Sequence, residues 1–139
     1  MSLRSKPSIA LLATPQSSPS VLYGMYDVLL SVGAVYSDLT TGKPEESLFD
    51  VKIVAATDRP FRCFGEVLVE PGASLDDVDK IDVAVVCDIY TPTDTPPRNR
   101  YGLEIAWLNR MYAQGSIVAA VCSGSLIPAE AGLLDGMEC

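Results

Sequence analysis

Nine residues constrain this chain more than any others: Ile117-Val118-Ala119-Ala120-Val121-Cys122-Ser123-Gly124-Ser125. The first five are small or β-branched and wholly apolar, which predicts a strand buried on both faces, as a parallel sheet requires. A single cysteine follows, then Ser-Gly-Ser and an apolar helical pattern that predicts a helix reaching about Leu134. Strand, cysteine and helix in that order describe a nucleophile elbow, a sharp turn that lifts one side chain above the sheet. Ala120 and Gly124, two residues to either side of Cys122, are small enough for such a turn. A cysteine that merely fills space at a strand end is the competing reading.

The rest of the chain alternates in the same manner. Buried strands are expected over residues 8–13, 51–56 and 81–87, each an apolar run bounded by turn-forming residues. Leu22, Met25, Tyr26, Leu29 and Leu30 recur at helical spacing, so a helix capped by Ser20 should run to about Val32 and stop at Gly33. Residues 34–49 read as a loop. Residues 61–69 should form a short hairpin around Gly65, and Ser74 should cap a short helical turn. A polar, proline-rich loop over residues 91–97 precedes a helix from about Arg100 to Ala113, whose two apolar stripes imply that it is largely covered. This order predicts an α/β fold with a doubly wound, mostly parallel sheet. Ligands of such sheets bind beyond the carboxyl ends of the strands, here at Thr14, Thr57, Asp88 and Cys122.

Composition removes several functions. With a net charge of −8, the chain lacks the clustered Lys and Arg needed to grip nucleic acid by itself. No apolar run approaches the ~20 residues of a membrane span. Four cysteines form no C-x-x-C pair and histidine is absent, so neither a metal site nor a Cys–His or Ser–His dyad is expected. Cys87 reads as a buried strand residue and Gly24 as a packing residue.

Val121-Cys122-Ser123-Gly124, followed by Ala129-Glu130-Ala131-Gly132-Leu133-Leu134-Asp135-Gly136, resembles the elbow segment of the ThiJ/PfpI family, within the class I glutamine amidotransferase-like superfamily. The second run is most similar to the N-terminal domain of AraC-type transcriptional regulators. The resemblance implies a flavodoxin-like fold over residues 4–139, in a domain that stops short of the family's full length. Any DNA-binding domain would lie outside this chain. The chain also departs from the family's enzymes. Ser123 occupies the slot where some members place a histidine after the cysteine. Ser20, Val21 and Leu22 span the slot for the acidic partner, and none is acidic. Asp27, in Gly24-Met25-Tyr26-Asp27-Val28-Leu29, matches only a second acidic position. Cys87-Asp88-Ile89-Tyr90 replaces the Pro-Gly-Gly turn that would offer an oxyanion hole.

The expected function is therefore a non-catalytic, ligand-sensing and dimerising domain of an AraC-type regulator. It would be a cytoplasmic homodimer, without metal or cofactor. It would bind a small-molecule effector near Thr14, Asp88, Cys122, Ser123 and Gly124, and would reach DNA only through a separate C-terminal domain. The alternative is a small ThiJ/PfpI-type enzyme, hydrolase, hydratase or glyoxalase-like, with Cys122 as its catalytic nucleophile.

Overall fold

A computed structural model describes residues 5–94 and 98–138 of the chain. The end of the expected 91–97 loop and Cys139 lie outside the described residues. Five parallel strands form one sheet in the order β5-β2-β1-β6-β7. They are β1 (Ser8–Leu12), β2 (Asp50–Ala55), β5 (Ala73–Ser74), β6 (Val83–Val86) and β7 (Ile117–Ala120). A separate antiparallel hairpin joins β3 (Phe61–Arg62) to β4 (Leu68–Val69) around Gly65, at φ +73°. The hairpin expected around this glycine is present, and so is the Ser74 cap, whose Oγ accepts the Asp77 N–H at 3.3 Å.

Strand alternation divides the core into two layers. Ile9, Leu11, Ala13, Val51, Ile53, Val85 and Cys87 face α1 (Pro19–Ser31). Ala10, Leu12, Val54, Ala84 and Val86 face the other way, toward Trp107, Leu108 and Met111 of α3 (Gly102–Ala113) and Ile127 of α4 (Leu126–Glu130). β1 sits between β2 and β6 in exact parallel alignment, Leu11 opposite both Ile53 and Val85, which is why Ala10 and Leu11 have no exposed surface.

Several expectations are corrected. β7 is not buried on both faces: it is the sheet edge, paired only with β6, and Ile117 is 65% exposed. An apolar run reports a strand without reporting how many neighbours it has. Residues 34–49 are not all loop, since α2 (Ala34–Thr41) runs between Gly33 (φ +83°) and the left-handed cap Gly42 (φ +67°). No residue of α2 is buried, so no apolar stripe announced it. The cap of α1 is Ser18, with Pro19 at the first helical position, where its missing N–H costs nothing. α3 is covered on one side only, leaving Leu103 and Tyr112 exposed. Gly24 is exposed, with nothing near the position a methyl would take, so it is not a packing residue.

The helix after Cys122 is also shorter than expected. It ends at Glu130 in a Schellman motif, with Leu133 N–H donating to Pro128 O, Gly132 N–H to Ala129 O, and Gly132 at φ +77°. Glycine at that position ends the helix although Leu133 and Leu134 continue the apolar pattern.

Gly124 and Gly24 give opposite predictions. A methyl at Gly124 would meet the Val86 carbonyl oxygen at 2.7 Å and that of Cys87 closer still, both backbone atoms that cannot swing away. Gly124→Ala should destabilise the fold by about 1–3 kcal/mol. Gly24→Ala, at an open position within α1, should stabilise it by about 0.5–1 kcal/mol. Chemical denaturation of the two variants beside wild type checks both signs.

Candidate functional site

The carboxyl ends of β1, β2, β6 and β7 form one rim of the molecule, tied together by loop backbone. Ser18 N–H donates to Asp88 O at 2.8 Å and Tyr90 N–H to Gln16 O at 2.7 Å, so the loop after β1 is pinned to the loop after β6. Phe64 N–H donates to Ser17 O at 3.2 Å, which draws the hairpin into the same rim. The Phe64 and Tyr90 rings stack there at 4.7 Å between centroids.

Cys122 stands where β7 turns into a short 3-10 segment (Cys122–Ser125) leading into α4. Its φ is +52°, a left-handed conformation uncommon for any residue but glycine. Val121 N–H still extends the sheet by donating to Val86 O at 2.9 Å, and Gly124 N–H closes the turn onto Val121 O at 3.0 Å. The thiol belongs to an exposed residue, whereas Cys63 and Cys87 are buried. Burial pushes the Cys87 thiol up to about 12, with the neighbouring Asp88 adding to the effect, and burial also raises Cys63.

Ser123 and Asp88 form the centre of the site. Ser123 Oγ lies 2.6 Å from Asp88 Oδ1 and also against the Ile89 carbonyl oxygen, so one O–H serves two acceptors. The Ser123 N–H donates to the same carboxylate oxygen at 3.3 Å. The Ser123 side chain holds the Asp88 carboxyl below the usual carboxylate range, opposed by partial burial; the Cys122 side chain and the Ser123 and Ile89 backbone add to the lowering. Ser123 therefore anchors an ionised aspartate beside the thiol.

The structure thus brings Asp88, Cys122 and Ser123 together. Thr14 is buried and engaged locally: its N–H donates to Ser17 Oγ at 2.9 Å, and its hydroxyl accepts from Gln16 N–H at 3.2 Å. Gly124 contributes no side chain, but lets the turn close on β6. Asp27 and Val21 lie on α1, the first exposed and the second packed into the core against β1 and β2.

Sequence reasoning passed over Glu104. It is 8% exposed, and burial raises its carboxyl above the ordinary value, opposed only by its own backbone N–H. It lines a hollow of about 130 Å³ with Ala13, Pro15, Ala55, Ala56, Thr57 and Phe61. An acid in the first turn of a helix normally signals only a favourable helix dipole, so nothing in the sequence marked this one as buried. Among the described residues, no group of three or more His, Cys, Asp or Glu could hold a metal ion, and no helix is long and apolar enough to cross a membrane.

No family model and no curated protein matches the chain by sequence. Solved structures do match its fold. The ThiJ/PfpI family protein from Pseudomonas syringae superposes with a TM-score of 0.69 at 23% identity, over 95% of this chain and 48% of its own. DJ-1beta from Drosophila melanogaster gives 0.68 at 20% identity, over 92% of this chain and 61% of its own. An AraC family transcriptional regulator from Pseudomonas putida gives 0.66 at 18% identity, over 93% of this chain and 63% of its own. The fold is that of the DJ-1/ThiJ/PfpI proteins, and the chain spans less than two thirds of the length of each of these three.

Two measurements check the site. Iodoacetamide should modify Cys122 well before Cys63 and Cys87 in the folded protein, as read by peptide mass mapping; comparable rates at Cys87 would contradict its burial. Ser123→Ala should raise the pKa of Asp88 toward that of a free aspartate in a carbon-detected NMR titration. A lowered carboxyl lends stability above its ordinary pKa and loses it as pH falls through the lowered value. Ser123→Ala should therefore be less stable at neutral pH and lose less stability than wild type on acidification, the two converging at low pH.

Proposed function

We propose that this chain is the ligand-sensing, dimerising N-terminal domain of an AraC-type transcriptional regulator and that it is not catalytic. The observation that carries this reading is the state of the groups around Cys122. A thiol catalyst needs a base, or a carboxyl free to share a proton. The chain has no histidine, and the carboxylate nearest the thiol, Asp88, is held ionised below the usual carboxylate range by the Ser123 hydroxyl and N–H on its Oδ1, which makes it a weak base. The fold likeness to an AraC family regulator supports the same reading. In it, a small-molecule effector meets the rim formed by Thr14, Asp88, Cys122, Ser123 and Gly124, in a cytoplasmic homodimer, and DNA contact belongs to a separate C-terminal domain.

A second reading keeps one observation in its favour. Cys122 is exposed and strained at φ +52°, as a reactive thiol would be. Under it the chain is a small ThiJ/PfpI-type enzyme.

Turnover separates the two. The protein and Cys122→Ser should be assayed with methylglyoxal, a peptide and an isonitrile. Under the regulator reading neither shows saturable turnover, and Cys122→Ser in the full-length protein leaves DNA binding intact. Saturable turnover that disappears in Cys122→Ser would overturn the proposal and establish the enzyme.

A further inference from the structure

Glu104 is set apart from the other acids of the described residues by its burial, and no ion pair among those residues accompanies it. The ion pairs among the described residues are Lys6 with Glu46, Lys52 with Asp50 and Arg62 with Glu66, all away from it. Arg110, farther along the same helix, is committed elsewhere: its Nη2 donates to Leu75 O at 2.8 Å and to Val78 O at 3.2 Å. Tyr101 shares its surroundings and adds no positive charge, while the nearby Arg100 side chain is hydrogen-bonded to Tyr101. A glutamate with little exposed surface and no ion pair among the described residues is costly to ionise, and such groups are normally paired.

The space beside it is shaped for a partner. The hollow that Glu104 lines holds the volume of about four waters, at roughly 30 Å³ each. Apart from Glu104 and Thr57, its walls are Ala13, Pro15, Ala55, Ala56 and the Phe61 ring, all apolar. It opens at the carboxyl ends of β1 and β2, where parallel sheets bind ligands. A second hollow of about 100 Å³ shares Ala56 and is lined by Trp107, one turn along α3 from Glu104. The indole N–H of Trp107 is buried with no hydrogen-bond partner. The Trp107 N–H is thus left unsatisfied beside one hollow, and Glu104 lines the adjoining one without an ion pair among the described residues.

We propose that the Glu104 hollow binds a small organic cation of the alkylammonium class. The ammonium group pairs with the Glu104 carboxylate, and the aliphatic part lies against Ala13, Ala55 and Ala56. The Phe61 ring lines the same hollow and offers a cation a π face. A net charge of −8 raises the local concentration of cations over anions. The proposal does not depend on whether the chain is a regulator or an enzyme, because it concerns binding alone.

The test is an amide NMR titration of the chain with n-propylammonium chloride, with 1-propanol, propionamide and propionate as size-matched controls. Saturable shifts are expected at Ala13, Ala56, Thr57 and Glu104 with the ammonium, and none with the controls. Glu104→Gln should keep the folded spectrum, since it removes a charge that burial disfavours, and should weaken binding by about tenfold or more. Ala56→Leu should abolish binding by filling the hollow while leaving Glu104 in place. The proposal is overturned by absence of saturable shifts, by equal binding of 1-propanol or propionamide, by unchanged affinity in Glu104→Gln, or by shifts centred on Asp88.

Discussion

The close approach of the 122–125 turn to the end of β6 is the contact on which the functional end of this molecule depends. Gly124 leaves no room for a side chain between itself and the Val86 and Cys87 carbonyls. That proximity lets Ser123 reach both Asp88 and the Ile89 carbonyl. Asp88, held from one side by Ser123, offers its own carbonyl to Ser18 N–H, and so the loop after β1 is fixed too. Cys122 is set at φ +52° by the same closure: the sheet hydrogen bond at Val121 and the turn bond at Gly124 leave the residue between them little freedom. A single residue without a side chain therefore couples the ends of three strands.

How much of this could be read from the sequence follows from what each signal measures. The central strands were legible because β1, β2 and β6 are both apolar and flanked by turn residues. Their two-layer alternation follows directly from the pleat. β7 has the same composition but one neighbour, and a run of Ile, Val and Ala spells a central and an edge strand alike. α2 was illegible for the opposite reason: it buries nothing, so its helical period carries no apolar stripe, and its bounding glycines read as loop residues. The end of α4 was misplaced because Gly132 reverses the backbone while the apolar pattern runs on through Leu133.

At the site, Cys122 was legible from its small neighbours, and Asp88 and Ser123 from their positions after β6 and β7. Their mutual engagement was not legible. Asp88 and Ser123 lie 35 residues apart, and only the parallel pairing of β6 with β7 makes them neighbours. Read from sequence, Asp88 was a candidate ligand-binding acid in a turn that replaces an oxyanion hole. In the structure it is also an acceptor already occupied by protein donors. The thiol has a carboxylate for a neighbour, but one that Ser123 holds ionised and below the usual carboxylate range, so that it is a weak base. The same interaction that presents Cys122 thus weakens the case for its nucleophilic activation.

Asp88 and Glu104 show how two carboxyls on one rim come to opposite states. Asp88 is partly solvated and surrounded by donors, so its charged form is favoured. Glu104 is enclosed by alanines, a proline and a phenylalanine with only its own backbone N–H for support, so its charged form is disfavoured. The chemical group is the same, and the environment separates the two. The difference decides which of them an incoming molecule can engage. A ligand donor at Asp88 must compete with the Ser123 hydroxyl and N–H, and displacing either loosens the turn that holds Cys122. At Glu104 no donor from another of the described residues has to be displaced, and a cation there relieves the burial cost that raises the carboxyl's pKa. Binding at Asp88 would consequently be coupled to the geometry of the thiol. Binding at Glu104 would act first on the start of α3, which packs against β6 and β7 from the opposite layer.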